Sequence, residues 1–197
     1  MSFSRDGGTT WSEPTQRHDD SKTEHGFVSK VALPSRRIAA IWLDGRETGG
    51  GDEGHSGPMT LRAAVVGTDG KIEHEDVIDA RVCDCCQTSA VRLGDGAVVV
   101  AYRDRSESEI RDIAVARFEN ERWSEPIVVH DDRWEIAGCP VNGPAIAADG
   151  DRVAVTWFIA AGSPPVPRVR IAFSNDGGRH FEPPIEGLVF ATSRFEH

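Results

Sequence analysis

Three of the four cysteines in this 197-residue chain, Cys83, Cys85 and Cys86, fall within four residues, and the fourth, Cys139, stands well downstream. Thiolates bind soft or borderline metals such as Zn²⁺ or Cu(I). The three clustered cysteines with Cys139 or with His25 supply a four-ligand set. The C-x-C-C spacing departs from the C-x₂-C pairs of common zinc sites. The same residues also suit disulfides: Cys85 or Cys86 to Cys139 staples two distant segments, and a vicinal Cys85–Cys86 bond is a further pairing. Simple buried thiols are the third reading. An even count of four does not separate the three.

The second chemical feature is a run of alternating charge. Tyr102-Arg103-Asp104-Arg105-Ser106 continues to Glu109-Ile110-Arg111-Asp112, and Trp42-Leu43-Asp44-Gly45-Arg46 is its counterpart upstream. Arginine presents a planar fork that grips carboxylates. Equally, alternating Arg, Asp and Glu can pair among themselves on a surface. On a regular strand, neighbours point to opposite faces, so Tyr102 and Arg103 cannot share one pocket. His55, in a glycine-rich loop, is a further candidate contact, whereas His18, His74, His130 and His180 lie at strand ends or turns and read as solvated.

The elements that position these residues read as β throughout; no helical-length segment carries apolar residues at i, i+3, i+4 and i+7. Three units of similar layout follow one another. Each opens with a short apolar strand (27–33, 88–93, 143–148), makes a tight polar turn, and has a second strand ending at Trp42, Tyr102 or Trp157. Those aromatics are spaced by 60 and 55 residues. A third strand follows (59–66, 113–118, 169–173), then a turn and a fourth strand such as 123–129. Four antiparallel strands per unit is the blade of a β-propeller. The expected organisation is a blade remnant at 1–22 and blades at 24–80, 83–132 and 139–190. Trp42 and Trp157 are expected as core between blades.

Bulk properties narrow the partners. Hydrophobic residues are 39% and charged residues 27%, the composition of a soluble globular chain. A net charge of −10 disfavours nucleic acid and anionic membrane surfaces. No apolar stretch approaches the roughly 20 residues that span a bilayer, and the first residues lack the apolar core of a signal peptide.

One turn motif appears twice. Ser4-Arg5-Asp6-Gly7-Gly8-Thr9-Thr10-Trp11 reads S-x-D-G-G-x-x-W, and Ser174-Asn175-Asp176-Gly177-Gly178-Arg179-His180-Phe181 repeats it with Phe for Trp. Its Asp can bond backbone N–H groups of its own turn, its glycines permit positive φ, and its aromatic is expected to fill the gap between sheets. Worn versions stand at Thr68-Asp69-Gly70 and Asn120-Glu121-Arg122-Trp123. This pattern resembles the Asp box, or bacterial neuraminidase repeat, of the six-bladed sialidase-like propellers. The segments Cys-Asp-Cys-Cys-Gln-Thr and Cys-Pro-Val-Asn-Gly-Pro look like a cysteine-rich bacterial subgroup of them. By that resemblance the chain is about half a propeller, either a fragment or a half-ring that a second copy closes.

The resemblance implies that inter-blade connections and loops after second strands share one face, opposite the Asp boxes. His25, all four cysteines and the Arg/Asp loops then converge on one mouth. It implies an exo-glycosidase acting on acidic sugars such as sialosides: Arg46, Arg103 and Arg105, with Asn142, hold the substrate, Asp44 or Asp104 serves as acid/base, and Tyr102 is the nucleophile. The family also suggests an extracytoplasmic location. The chain lacks an Arg-Ile-Pro motif and a late Tyr–Glu pair, and its cysteines are foreign to the usual sialidase site. A non-hydrolytic Zn²⁺- or copper-binding propeller and a disulfide-stapled binding module therefore stand beside the glycosidase reading.

Overall fold

The structure, a computed structural model, describes residues 2–14, 23–49 and 57–187. His18, His55, the end of the 1–22 remnant and the last residues of the 139–190 unit lie outside them. It is an all-β, propeller-like fold of three consecutive antiparallel sheets. The first blade is β1 (His25–Ala32), β2 (Ile38–Asp44), β3 (Met59–Val66) and β4 (Ile72–Val82). The second is β5 (Ser89–Arg92), β6 (Val98–Arg103) and β7 (Ile113–Glu119), with β8 (Arg122–Trp123) and β9 (Ile127–Val128) both paired to β7. The third is β10 (Ala145–Asp149), β11 (Arg152–Ile159), β12 (Arg168–Ser174) and β13 (Ile185–Gly187). Strand order follows chain order within each sheet, and the first strands lie side by side, β1 against β5 and β5 against β10.

Alternation along β6 builds two cores from one strand. Val98, Val100 and Tyr102 join Ile41, Leu43, Leu61 and Val65 between the first and second blades. Val99 and Ala101 join Ile113, Val155, Trp157 and Ile159 between the second and third. Burial on both faces explains why β6 reads as an unbroken apolar run, without the polar alternation of a half-exposed strand.

Three expectations change. The fourth strand expected at 123–129 is split into β8 and β9, because Pro126 has no N–H to give the ladder; Ser124 spans the gap, its N–H donating to the Arg117 carbonyl at 2.8 Å. Trp42 is buried, but on the face of β2 turned away from the core that holds Ile41 and Leu43. Trp11 does not fill a gap between sheets: it is 65% exposed, with no described sheet against it, whereas its counterpart Phe181 packs on the second core.

The two Asp boxes fold alike. Ser4 Oγ accepts from Gly8 N–H at 2.7 Å and Ser174 Oγ from Gly178 N–H at 2.9 Å. Asp6 Oδ1 accepts from Thr10 N–H at 2.9 Å and Asp176 Oδ1 from His180 N–H at 3.0 Å. Gly7 and Gly177 take φ of 71° and 73°, the left-handed region that the turn requires.

Candidate functional site

The loops that could carry chemistry leave the sheets at the end opposite the Asp boxes. Asp44 ends β2, Arg103 ends β6, and Cys83–Gln87 leads into β5, whose Ser89 pairs with Ala101 of β6. Cys83 N–H donates to the Arg103 carbonyl at 3.0 Å, and Val82 bridges Asp104. The cysteine segment and the charged run are thereby locked together.

In the first blade, Asp44 is fully buried. It accepts from Trp42 Nε1 at 2.7 Å, from Arg46 N–H at 3.0 Å and from Arg46 Nε and Nη2 at 2.9 Å, and His25 Nδ1 lies 3.1 Å away. Burial alone would push its carboxyl up, but the donors from Arg46 and Trp42 outweigh it and hold it at about 2. An ionised carboxylate so engaged is a poor proton donor. Arg46 also bonds Glu75, so its fork is filled by two protein carboxylates. The third blade repeats the device: Trp157 Nε1 donates to Asp132 at 2.7 Å, and Arg170 pairs with the same carboxylate. Sequence reading missed Asp132, because it sits 25 residues before its tryptophan whereas Asp44 follows Trp42 by two.

In the second blade, Tyr102 and Arg103 part company. Tyr102 is buried in the first core and donates its hydroxyl to Asp79 Oδ2 at 2.7 Å; desolvation, and then the Asp79 charge, push its pKa far up. Arg103, 2% exposed, donates to three carbonyls: Asn142 at 2.9 Å, Arg111 at 2.6 Å and Phe158 at 2.8 Å. Its guanidinium lies 4.9 Å from the Trp134 ring centre, and Trp134 is held by the Asp112 carboxylate on its N–H at 3.1 Å. Arg103 therefore ties the second blade to the third. Asn142 is exposed and takes part through its carbonyl.

Around that anchor lies a set of charges, partly exposed except for the buried Arg111. Arg105 is paired with Glu109 at 2.8 Å and lies 3.9 Å from Asp84. Arg111, absent from the expected clamp although the charged run contains it, pairs with the same Glu109 at 2.8 Å and reaches Cys83 Sγ at 3.3 Å. The two arginines hold Glu109 down at about 2. Asp104 differs: half-buried and accepting from Arg105 N–H at 2.6 Å, it is pushed up to about 6, by desolvation first and then by the charge of Asp79. The sequence gives no signal for this shift, because Asp79 comes from β4 of the neighbouring blade.

The cysteines resolve unevenly. Cys85 and Cys139 are joined in a disulfide with Cα atoms 6.0 Å apart, stapling the entries of the second and third blades. Cys83 and Cys86 are buried free thiols with sulfurs 3.2 Å apart. The hydrogen bond between them, helped by Arg111, lowers the pKa of Cys83; the same bond, with burial, raises that of Cys86. The vicinal Cys85–Cys86 bond is not formed, and His25 is occupied with Asp44.

No family model matches the chain, and no curated protein matches it. In fold it is similar to two solved structures of a polysaccharide lyase, PL25 ulvan lyase, one of them bound to -[GlcA(1-4)Rha3S]-. Each gives a TM-score of 0.55 at 13% identity, covering 94% of this chain and 48% of the other. The chain spans about half the length of those structures. At this identity the likeness is one of fold, and it lies with carbohydrate-active enzymes; membership of the sialidase family is not shown. Among the described residues no helix is long and apolar enough to cross a membrane.

Proposed function

We propose that the chain is part of a propeller that acts on an acidic glycan, cleaving a glycosidic bond at the mouth of the second blade. Asp104 carries the reading. A carboxyl pushed up to about 6 keeps its proton into the mildly acidic range and is suited to protonate a glycosidic leaving oxygen. Arg105 beside it is the cation available to a sugar carboxylate, which would compete with Glu109 for its fork. Arg46 and Arg103 act in this reading as supports, since their forks are filled by Asp44, Glu75 and three carbonyls. The likeness in fold to polysaccharide lyases favours a sugar ligand over other acidic molecules. A sialoside at a chain end, taken by an exo-glycosidase, is the finer form of the proposal.

The test is turnover of a fluorogenic sialoside and of a uronate-containing polysaccharide by the purified protein, from acidic to neutral pH. Activity on either that falls as pH rises through about 6 and is lost in Asp104→Asn supports the assignment. Absence of turnover on both substrates by folded protein overturns it.

A further inference from the structure

The sulfurs of Cys83, Cys85 and Cys86 all lie within 4.8 Å of one another, and Cys139 is bonded to Cys85. Cys139 is not one of the three mutually close sulfurs, but its bond to Cys85 sets it beside them. A tetrahedral ZnS₄ centre with Zn–S bonds of about 2.3 Å has sulfur–sulfur edges of about 3.8 Å. Cys83 lies 3.6 Å from Cys85 and 3.2 Å from Cys86, close to such edges before any ion draws them to equal spacing.

The surroundings are built for negative charge. Arg103 is a buried cation whose hydrogen bonds go to neutral carbonyls, and among the described residues no carboxylate forms an ion pair with it. A buried charge without a counter-charge is costly. The ionisable groups acting on it are first the sulfurs of Cys86 and Cys83 and then the Asp112 carboxylate. Arg111 Nη1 stands 3.3 Å from Cys83 Sγ, and its Nε is buried without a partner among the described residues. Such donors commonly orient the ligands of a metal centre. Four thiolates and Zn²⁺ leave two negative charges beside Arg103 and Arg111, the second of which is shared with Glu109 and Asp84, whereas Cu(I) would leave three.

We propose that the reduced chain binds one Zn²⁺ through Cys83, Cys85, Cys86 and Cys139, and that the Cys85–Cys139 disulfide is the oxidised, metal-free state of the same centre. A dithiol reductant supplies two electrons and two protons to the disulfide and leaves as its own disulfide, giving two thiols. Zinc binding then releases the thiol protons to solvent. Oxidation in the reverse sense re-forms the Cys85–Cys139 bond, removes two ligands and expels the ion. His25 is not a ligand, being engaged with Asp44 in the first blade. This centre stands apart from the glycan reading, which needs neither metal nor thiol.

The experiment compares the purified chain with and without a dithiol reductant under argon, after chelator treatment, by elemental analysis and by titration with Co²⁺ as a visible probe. Reduced protein takes up one zinc per chain and, with cobalt, shows thiolate-to-cobalt charge transfer and tetrahedral d–d bands. Oxidised protein binds no metal. Arg111→Met keeps the spectrum and weakens zinc affinity by roughly 10- to 100-fold. Reduced parent protein holding under about 0.2 zinc per chain overturns the proposal. So does a Cys83→Ser/Cys86→Ser variant that keeps the parent circular dichroism and binds as much zinc. Should that variant not fold, the comparison of reduced and oxidised parent decides alone.

Discussion

Tyr102 and Arg103 are neighbours in β6, yet their side chains serve different inter-blade junctions: the Tyr102 hydroxyl meets Asp79 Oδ2 at 2.7 Å, and Arg103 Nη2 meets the Phe158 carbonyl at 2.8 Å. One dipeptide therefore fastens the middle blade to both of its neighbours.

Because the two side chains share no partner, their losses should add. Tyr102→Phe removes one hydrogen bond to a carboxylate and should cost about 1–3 kcal/mol. Arg103→Met takes the donor from three carbonyls, that of Arg111 fully buried, and should cost about 2–3 kcal/mol. The double variant should match the sum to within about 0.5 kcal/mol. Arg103→Lys should not rescue stability, since an ammonium cannot reproduce the fork. Urea midpoints with unchanged m-values check each value; a large coupling would show that the two junctions are not independent.

Asp44 and Asp104 should bend the stability–pH profile in opposite directions. The folded pKa of Asp44 is depressed from 3.8 to about 2. Its contribution, of order 2 kcal/mol, is present above about pH 4 and lost as pH falls through about 2. The folded pKa of Asp104 is raised from 3.8 to about 6. Stability is greatest on its account below about pH 4 and falls as pH rises through about 6. Asp104→Asn should therefore stabilise the protein at neutral pH and flatten that limb, whereas Asp44→Asn should destabilise it at neutral pH. Thermal melts across the pH series would expose an error in either sign.

Removing the staple should loosen the second blade from the third. The Cys85–Cys139 bond closes 54 residues of chain, and Cys139→Ala should lower stability by about 2–4 kcal/mol under oxidising conditions. Under strong reduction, with metal chelated, the variant and the parent should converge. Denaturation in the two redox states measures both arms.

The two Asp boxes should differ in importance despite equal geometry. Asp176→Ala should cost about 1 kcal/mol, because its turn carries Phe181 onto the second core. The turn around Asp6 holds an exposed Trp11, so Asp6→Ala should leave the global melt nearly unchanged. Equal losses at the two sites would mean that the first turn packs against more than the described residues show.

The apolar pattern, the turn chemistry and the spacing of Trp42, Tyr102 and Trp157 were enough to read four-stranded blades, because alternation and glycine-bearing turns are local properties of a chain. The split of the last strand of the middle blade was missed, although Pro126 marks it in the sequence. Alternation also separates Tyr102 from Arg103 in the bare sequence. What each residue does depends on groups that arrive from other strands. Arg46 and Arg103 look like free forks until Glu75 and the Phe158 carbonyl are brought to them. Asp104 looks ordinary until burial, and then the charge of Asp79 from the neighbouring blade, raises its pKa. Four cysteines admit several pairings, and the choice of Cys85 with Cys139 follows from the docking of two blades that bring their Cα atoms to 6.0 Å. Electrostatic shifts and covalent pairing fall steeply with distance, so only the packed blades could decide them.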